Sequence, residues 1–395
     1  MSDDAPLLLD VTRLIWRRWK ARYPTGIDRV ALAYLNHFGP RSQAVVQHDR
    51  FRRILDAKAS QELFALLNAP GHSFKTALVT GVLRNLTHLH DEGRGRLYLN
   101  IGHTGLNSSG FSNWVRNADV RPIYFVHDLI PITHPRFARA DEDARHRERM
   151  LTVLTTAAGV IANSQVTLDE LAGFAATEDL PMPPAVVAWL GTDPLPIGSA
   201  DDPPARPTFV TVGTIEARKN HLLLLDVWSR LAESLGDQTP RLLIIGQRGW
   251  EADEVFERLD KDETLHGHVV ELSRCSDDEL ARHISSARAL LFPSFVEGYG
   301  LPLIEALDAG VPVIASDLPV FRELCGTIPT YLDPADKAGW EAAILDYAEA
   351  DSAARTAQIE RLRGFVAPDW KQHFAIVEAW LEELASSRGA PASTR

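Results

Sequence analysis

Short apolar runs rich in β-branched residues recur along the whole chain, each followed by a stretch with helical patterning. The first half carries "PLLLDVT", "RLYLNIG", "PIYFVHDLI" and "GVIANS"; the second carries "TFVTVG", "RLLIIG", "HVVEL", "ALLFPS" and "VPVIAS". Strands this apolar are buried on both faces, and helices between them make the strands parallel. The pattern therefore predicts an α/β protein, with ligands bound beyond the carboxyl ends of the strands.

With 395 residues the chain exceeds what one core usually fills. The stretch "LPIGSADDPPARPT", residues 195–208, is rich in Pro, Asp and small residues and marks the boundary. It separates residues 1–197 from residues 206–367, two Rossmann-like domains with a cleft between them. The termini, "MSDDAP" and "SSRGAPASTR", read as frayed.

The net charge of -12 argues against a general nucleic-acid binder. Residues 1–60 nevertheless carry +5 against -17 for the remainder. Much of that excess lies in "RLIWRRWKAR", where Trp16 and Trp19 accompany Arg13, Arg17, Arg18, Lys20 and Arg22. Such a helix suits an anionic membrane surface, and equally a packed surface with solvated arginines. Two cysteines, Cys275 and Cys325, support neither a disulfide framework nor a cysteine zinc site. No signal-peptide layout or membrane-length apolar run is present, so a cytoplasmic protein is expected, peripheral to the inner membrane face if the basic segment binds there. Asp141, Glu142 and Asp143 sit in a charged helical run and read as a solvated face rather than a metal site.

Two stretches suggest chemistry. In "TFVTVGTIEARKN" a strand ends before Gly213 and Thr214, and Arg218 and Lys219 follow at a helix start. A small-residue turn beside two cations suits an anion. In "PSFVEGYGLPLIEALDAG", Gly298 and Gly300 permit tight geometry and Pro302 suits a first helical turn. Glu297 then precedes the helix and Glu305 lies about one turn inside it. Free N–H groups at that start suit a phosphate, and two carboxylates suit sugar hydroxyls. A diphosphate with a sugar at each end matches both.

Together these stretches resemble the retaining glycosyltransferases of family 4, which have the GT-B fold; Glu297 and Glu305 match the family's Glu, seven residues, Glu pattern. The resemblance implies a nucleotide-sugar donor in the second domain. Arg218 and Lys219 would neutralise the diphosphate as it leaves, Glu297 would hold the donor sugar, and the backbone from Gly298 through Tyr299 and Gly300 to Leu301 would line it. Glu305 would accept from the ribose, and Leu272 and Ser273 would lie near the base. Fixed cations replace a metal, so no divalent cation or other cofactor is implied.

In the first domain the resemblance places His127 of "PIYFVHDLIPITHP" against the donor sugar, with Asp128 orienting it or meeting the acceptor. Gly26 of "YPTGIDRV" would face the phosphates, with Arg29 either nearby or an exposed ion-pair partner. His103 and Asn107 of "NIGHTGLNSSG" are acceptor-side candidates, and Ser164 and Thr167 are either a junction element or a helix cap. A final helix over residues 368–388, with Trp370, Phe374, Val377 and Trp380 on one packing face, would return to the first domain. The expected reaction moves a hexose, best guess mannose from GDP-mannose, to a saccharide or lipid-linked saccharide in polysaccharide assembly. UDP-glucose or another hexose donor is the next choice. A sugar-nucleotide epimerase and a non-catalytic binding module are the rivals from other classes.

Overall fold

Parallel pairing dominates the strands, as their two-sided burial requires. The computed structural model describes residues 7–20, 25–49, 51–69, 74–75, 89–90, 93–195 and 205–386. The terminal segments 1–6 and 387–395, and residues 196–204 of the expected boundary, lie outside the described residues. Two units emerge: Met1–Leu129 with Ala144–Leu190 and Trp370–Arg395, and Ile130–Asp143 with Gly191–Asp369.

In the first unit the strands are β1 (Leu7–Asp10), β2 (Ser42–His48), β3 (Phe51–Leu55), β4 (Leu89–His90), β5 (Leu97–Asn100), β6 (Arg121–Val126), β7 (Gly159–Ala162) and β8 (Ala185–Val187). They lie in the order β4-β3-β2-β1-β5-β6-β7-β8. Pairing is parallel from β2 through β8, and β3 and β4 add an antiparallel margin. β1 lies between β2 and β5, so the strand order reverses there. The final helix, Trp370–Ser386, belongs to this unit and buries Phe374, Val377 and Leu381. His37 stacks on Phe374 at 3.9 Å, and Tyr34 Oη lies 2.9 Å from His373 Nε2.

The second unit contains β9 (Thr208–Val212), β10 (Arg241–Ile245), β11 (Val269–Leu272), β12 (Ala289–Phe292), β13 (Val313–Ser316) and β14 (Thr330–Leu332), ordered β11-β10-β9-β12-β13-β14 and parallel throughout. Phe209 and Trp228 meet edge to face at 6.0 Å within its core, where Leu242, Leu291 and Trp340 are also buried. The reversal lies at β9, between β10 and β12. Ligand crevices of open parallel sheets form at such reversals. Residues 130–143, expected in the first domain, belong here because Phe137 stacks on Phe295 at 5.2 Å and Arg139 covers Trp250 at 4.2 Å.

Candidate functional site

The loops after β9 and β12 leave the two strands that flank the reversal in the second unit. After β9, Gly213 adopts φ +140°, and a Cβ there would stand 3.4 Å from Lys219 Cε. The backbone thus passes close to the ammonium. Ala217–Lys219 form a single tight turn, and Asn220 closes it at φ +55° before the helix His221–Leu235. The Asn220 amide donates to Pro293 O and Pro334 O at 3.1 and 2.9 Å. Phe295 N–H donates to Arg218 O at 2.8 Å, which ties the β12 loop to the cation turn.

Glu297 is the centre of the charge arrangement, with its side chain 6% exposed. Its Oε1 accepts from Lys219 Nζ at 2.5 Å and from Ser294 Oγ at 2.8 Å, while Oε2 lies 2.6 Å from the Arg218 guanidinium. Burial by itself would raise this carboxyl, but Arg218, Lys219 and Ser294 outweigh burial and hold it at about 2. Burial pulls the Lys219 ammonium below the usual lysine range. Arg218 also lies 2.6 Å from Glu216 Oε1. Glu216, Ser294 and Asn220 were not singled out by sequence reasoning. "EARKN" does contain an acid beside the cations, but its contact with Arg218 depends on the turn geometry.

Gly298, Tyr299 and Gly300 lead into the helix Leu301–Asp308, with Pro302 in its first turn and Glu305 buried on it. Gly300 has φ +113°, and a Cβ would meet Phe321 Cε1 at 2.7 Å, so glycine is required on both counts. Gly310, at φ +77°, follows the helix as the stop expected there. Thr214 packs beside Gly249. Leu272 ends the edge strand β11 and Ser273 follows it, two strands from β9, at the same carboxyl end of the sheet.

In the first unit the ends of β1, β5 and β6 hold a second polar group. His127 is buried; its Nε2 donates to Ile101 O at 2.8 Å, and burial lowers its pKa to about 4. His103, in the left-handed region at φ +55°, donates to Phe125 O at 2.7 Å, with its ring 5.5 Å from His127. Its pKa is pushed well down, first by burial and then by His127 and His146. His146 donates to Asp128 O at 3.1 Å, and Asn163 donates to His127 O at 2.8 Å. The His127–Asp128 turn is thus held from three sides. Asn107 is half-buried in the turn that follows His103.

Gly26 opens the helix Gly26–Phe38, where Thr25 and Asp28 form a capping box. Asp28 holds Arg13 and Arg17, each at 2.7 Å, and the charges of Arg13 and Asp28 both act on His127. Arg18 donates to Leu67 O at 2.9 Å. These three arginines are engaged in packing rather than solvated; Trp16, 37% exposed, and Lys20, 5.7 Å from its ring, form the outward part of that helix. Ser164 caps the helix Gln165–Thr177 through Thr167 N–H at 3.1 Å. A further network missed at the sequence level lies at the β1 end, where buried Asp10 accepts from Tyr98 Oη at 2.7 Å and Gln47 Nε2 at 2.5 Å. Its members are scattered in sequence, so no motif marks them. Among the described residues, no helix is long and apolar enough to cross a membrane.

Residues 199–356 match the family model described as glycosyl transferases group 1. The chain is 41% identical over 120 residues to the serotype-specific mannosyltransferase WbdA of Escherichia coli, covering 30% of this chain and 14% of that protein. It is 31% identical over 179 residues to the O-antigen chain mannosyltransferase RfbU of Salmonella typhimurium, covering 44% of this chain and 47% of that protein. The chain therefore spans under half the length of these curated relatives. The structure of Anabaena Alr3699/HepE in complex with UDP is similar at TM-score 0.64 and 16% identity, over 96% of this chain and 99% of that one. Sucrose-phosphate synthase from Thermosynechococcus elongatus gives TM-score 0.61 at 16% identity, again over 96% and 99%. Residues 199–356 are thus similar to the glycosyl transferases group 1, and the chain as a whole is a two-domain α/β protein with the GT-B fold.

Proposed function

We propose that this protein is a retaining hexosyltransferase that moves mannose from GDP-mannose to a saccharide or lipid-linked saccharide acceptor in polysaccharide assembly. The observation that carries the reading is the joining of Arg218 and Lys219 to Glu297 at the strand-order reversal, beside the start of helix Leu301–Asp308. A diphosphate entering there meets two cations and the positive end of that helix's dipole. Glu297 then exchanges ion pairs for the hydroxyls of the donor sugar, and Glu305 serves the ribose. The names of WbdA and RfbU support mannose over glucose as the transferred sugar.

The chain supplies positioning and charge. Arg218 and Lys219 stabilise the diphosphate as the glycosidic C–O bond breaks. The departing phosphate oxygen takes the acceptor's proton on the same face, so configuration is retained. His127, neutral at pH 7, supports the sugar side, and Asp128, His103 and Asn107 serve the acceptor. Because the cations are protein side chains, turnover proceeds without added divalent metal.

The test is nucleotide release from a panel of donors, with and without EDTA. GDP release from GDP-mannose, faster with a mannose-containing acceptor and unchanged by EDTA, is expected. Exclusive use of a UDP-sugar would replace the donor assignment, and no nucleotide release from any donor would overturn the transferase reading. The membrane contact rests on Trp16 and Lys20. Co-sedimentation with phosphatidylglycerol vesicles that falls in Trp16→Ala is the expected result, and its absence in the wild type removes that contact.

A further inference from the structure

Four charged side chains meet beyond β9 and β12: Glu216, Arg218, Lys219 and Glu297. Their formal charges cancel. Both oxygens of Glu297 are engaged, one by Lys219 and Ser294 and the other by Arg218. Glu216 is engaged on one side only. Its Oε1 faces the Arg218 guanidinium at 2.6 Å, whereas its Oε2 is buried and has no hydrogen-bond partner. The side chain is 3% exposed.

An ionised carboxylate with one oxygen buried and undonated is unfavourable, and a neutral carboxyl is less so. A nucleotide-diphosphate sugar adds two negative charges to a cluster that is already neutral. A proton on one of the two acids relieves this at least cost, and Glu216 Oε2 is the acid oxygen not already held by a donor. We propose that binding of a nucleotide-diphosphate sugar is coupled to uptake of one proton from solvent onto Glu216 Oε2. Glu216 thereby remains a positioning residue for Arg218 while giving up its own charge. This rests on the donor reading above. An O–H bond forms on Glu216, its charge goes from minus one to zero, and no bond of the donor is altered.

The groups that act on Glu216 are Arg218 and Lys219 from its own turn and Glu297 from the loop after β12. Burial, the largest influence, and Glu297 both favour the neutral acid; the two cations oppose it, and the balance lies above the ordinary glutamate range. His221, buried beside Lys219 and with Nδ1 lacking a partner, is the other group able to take a proton nearby.

The experiment is calorimetric titration of the full chain with GDP-mannose and with UDP-glucose, in buffers of different ionisation enthalpy. The diphosphate diester does not titrate near neutrality, so exchanged protons belong to the protein. The wild type is expected to take up about one proton per donor bound, with affinity falling up to about tenfold per unit rise in pH. Glu216→Gln, which keeps an oxygen toward Arg218, is expected to bind with no uptake and a flat pH profile. Uptake that persists in Glu216→Gln assigns the proton elsewhere, His221 first, and overturns the proposal. Donor binding by the wild type without uptake also overturns it. An infrared difference spectrum of the wild type provides a variant-free check: a protonated-carboxyl band must appear on donor binding, and its absence is decisive against Glu216. Failure of both nucleotide sugars to bind would instead overturn the donor reading, and this proposal with it.

Discussion

Lys219 and Glu297 illustrate how much depends on a pair of side chains 78 residues apart in sequence. Their side chains are 11% and 6% exposed, and each neutralises the other. Arg218→Ala and Lys219→Ala are expected to lower turnover by roughly 10²–10³-fold, as for loss of one transition-state donor. Steady-state release of nucleotide checks this, and near-normal rates in both folded variants would remove the cations from the mechanism. The buried histidines determine the response to acid. Burial depresses His127 and His373 to about 4 and His221 to about 3, from an ordinary 6.5. Below pH 6.5 the unfolded chain therefore binds more protons than the folded one. Stability present above pH 6.5 is lost as pH falls toward 4, at about 1.4 kcal/mol per unit for each such group. Glu297 stays ionised through this window, because its folded-state value is about 2. Urea midpoints measured from pH 7.5 to 4.5 should fall steadily; a flat series would contradict the buried neutral imidazoles. At this scale the sequence revealed Arg218, Lys219, Glu297 and Glu305, whose spacing within each strand-loop-helix is local. It did not reveal Glu216, Ser294 or His146, whose relevance comes from contacts that only the fold makes.

Strand ends and helix starts place these side chains, and glycine is what allows the strand ends to approach. A Cβ on Gly246, just after β10, would stand 1.9 Å from Gly213 O, a backbone atom that can yield only if the loop shifts. Gly246→Ala is expected to cost about 3 kcal/mol through overpacking. It should also weaken donor binding, because Gly213 borders Lys219. Chemical denaturation with a paired donor titration checks both effects, and an unchanged midpoint would mean that the β9 and β10 loops adjust freely. The helix Leu301–Asp308 was readable in advance from Gly300, Pro302 and Gly310, since each follows a local backbone rule. The helix start at His221 was less so: Asn220 in the left-handed region interposes a turn between the cations and the helix. The expected helix over residues 368–388 is observed as Trp370–Ser386.

At the scale of the molecule, the first unit is discontinuous in sequence and is completed by the last helix. Phe374, Val377 and Leu381 are buried there, and burial of such side chains contributes about 1.5–3 kcal/mol each. Their sum is comparable to the whole stability of a domain. A chain ending at Asp369 is therefore expected to lose the cooperative unfolding of the first unit while the second stays protease-resistant. Limited proteolysis with denaturant titration checks this, and a two-step profile unchanged from the full chain would show that the helix adds little. The sequence by itself determined the α/β class, the parallel strands, the two-domain division and the paired motifs of the second unit. Those features follow from periodicity, backbone rules and spacing within a few tens of residues. Only the tertiary structure decided that Glu297 holds both cations, that Arg13 and Arg17 serve Asp28, and that residues 130–143 join the second unit. The reason is physical: charge partners are chosen by burial and geometry, and those exist only once distant strands have been brought side by side.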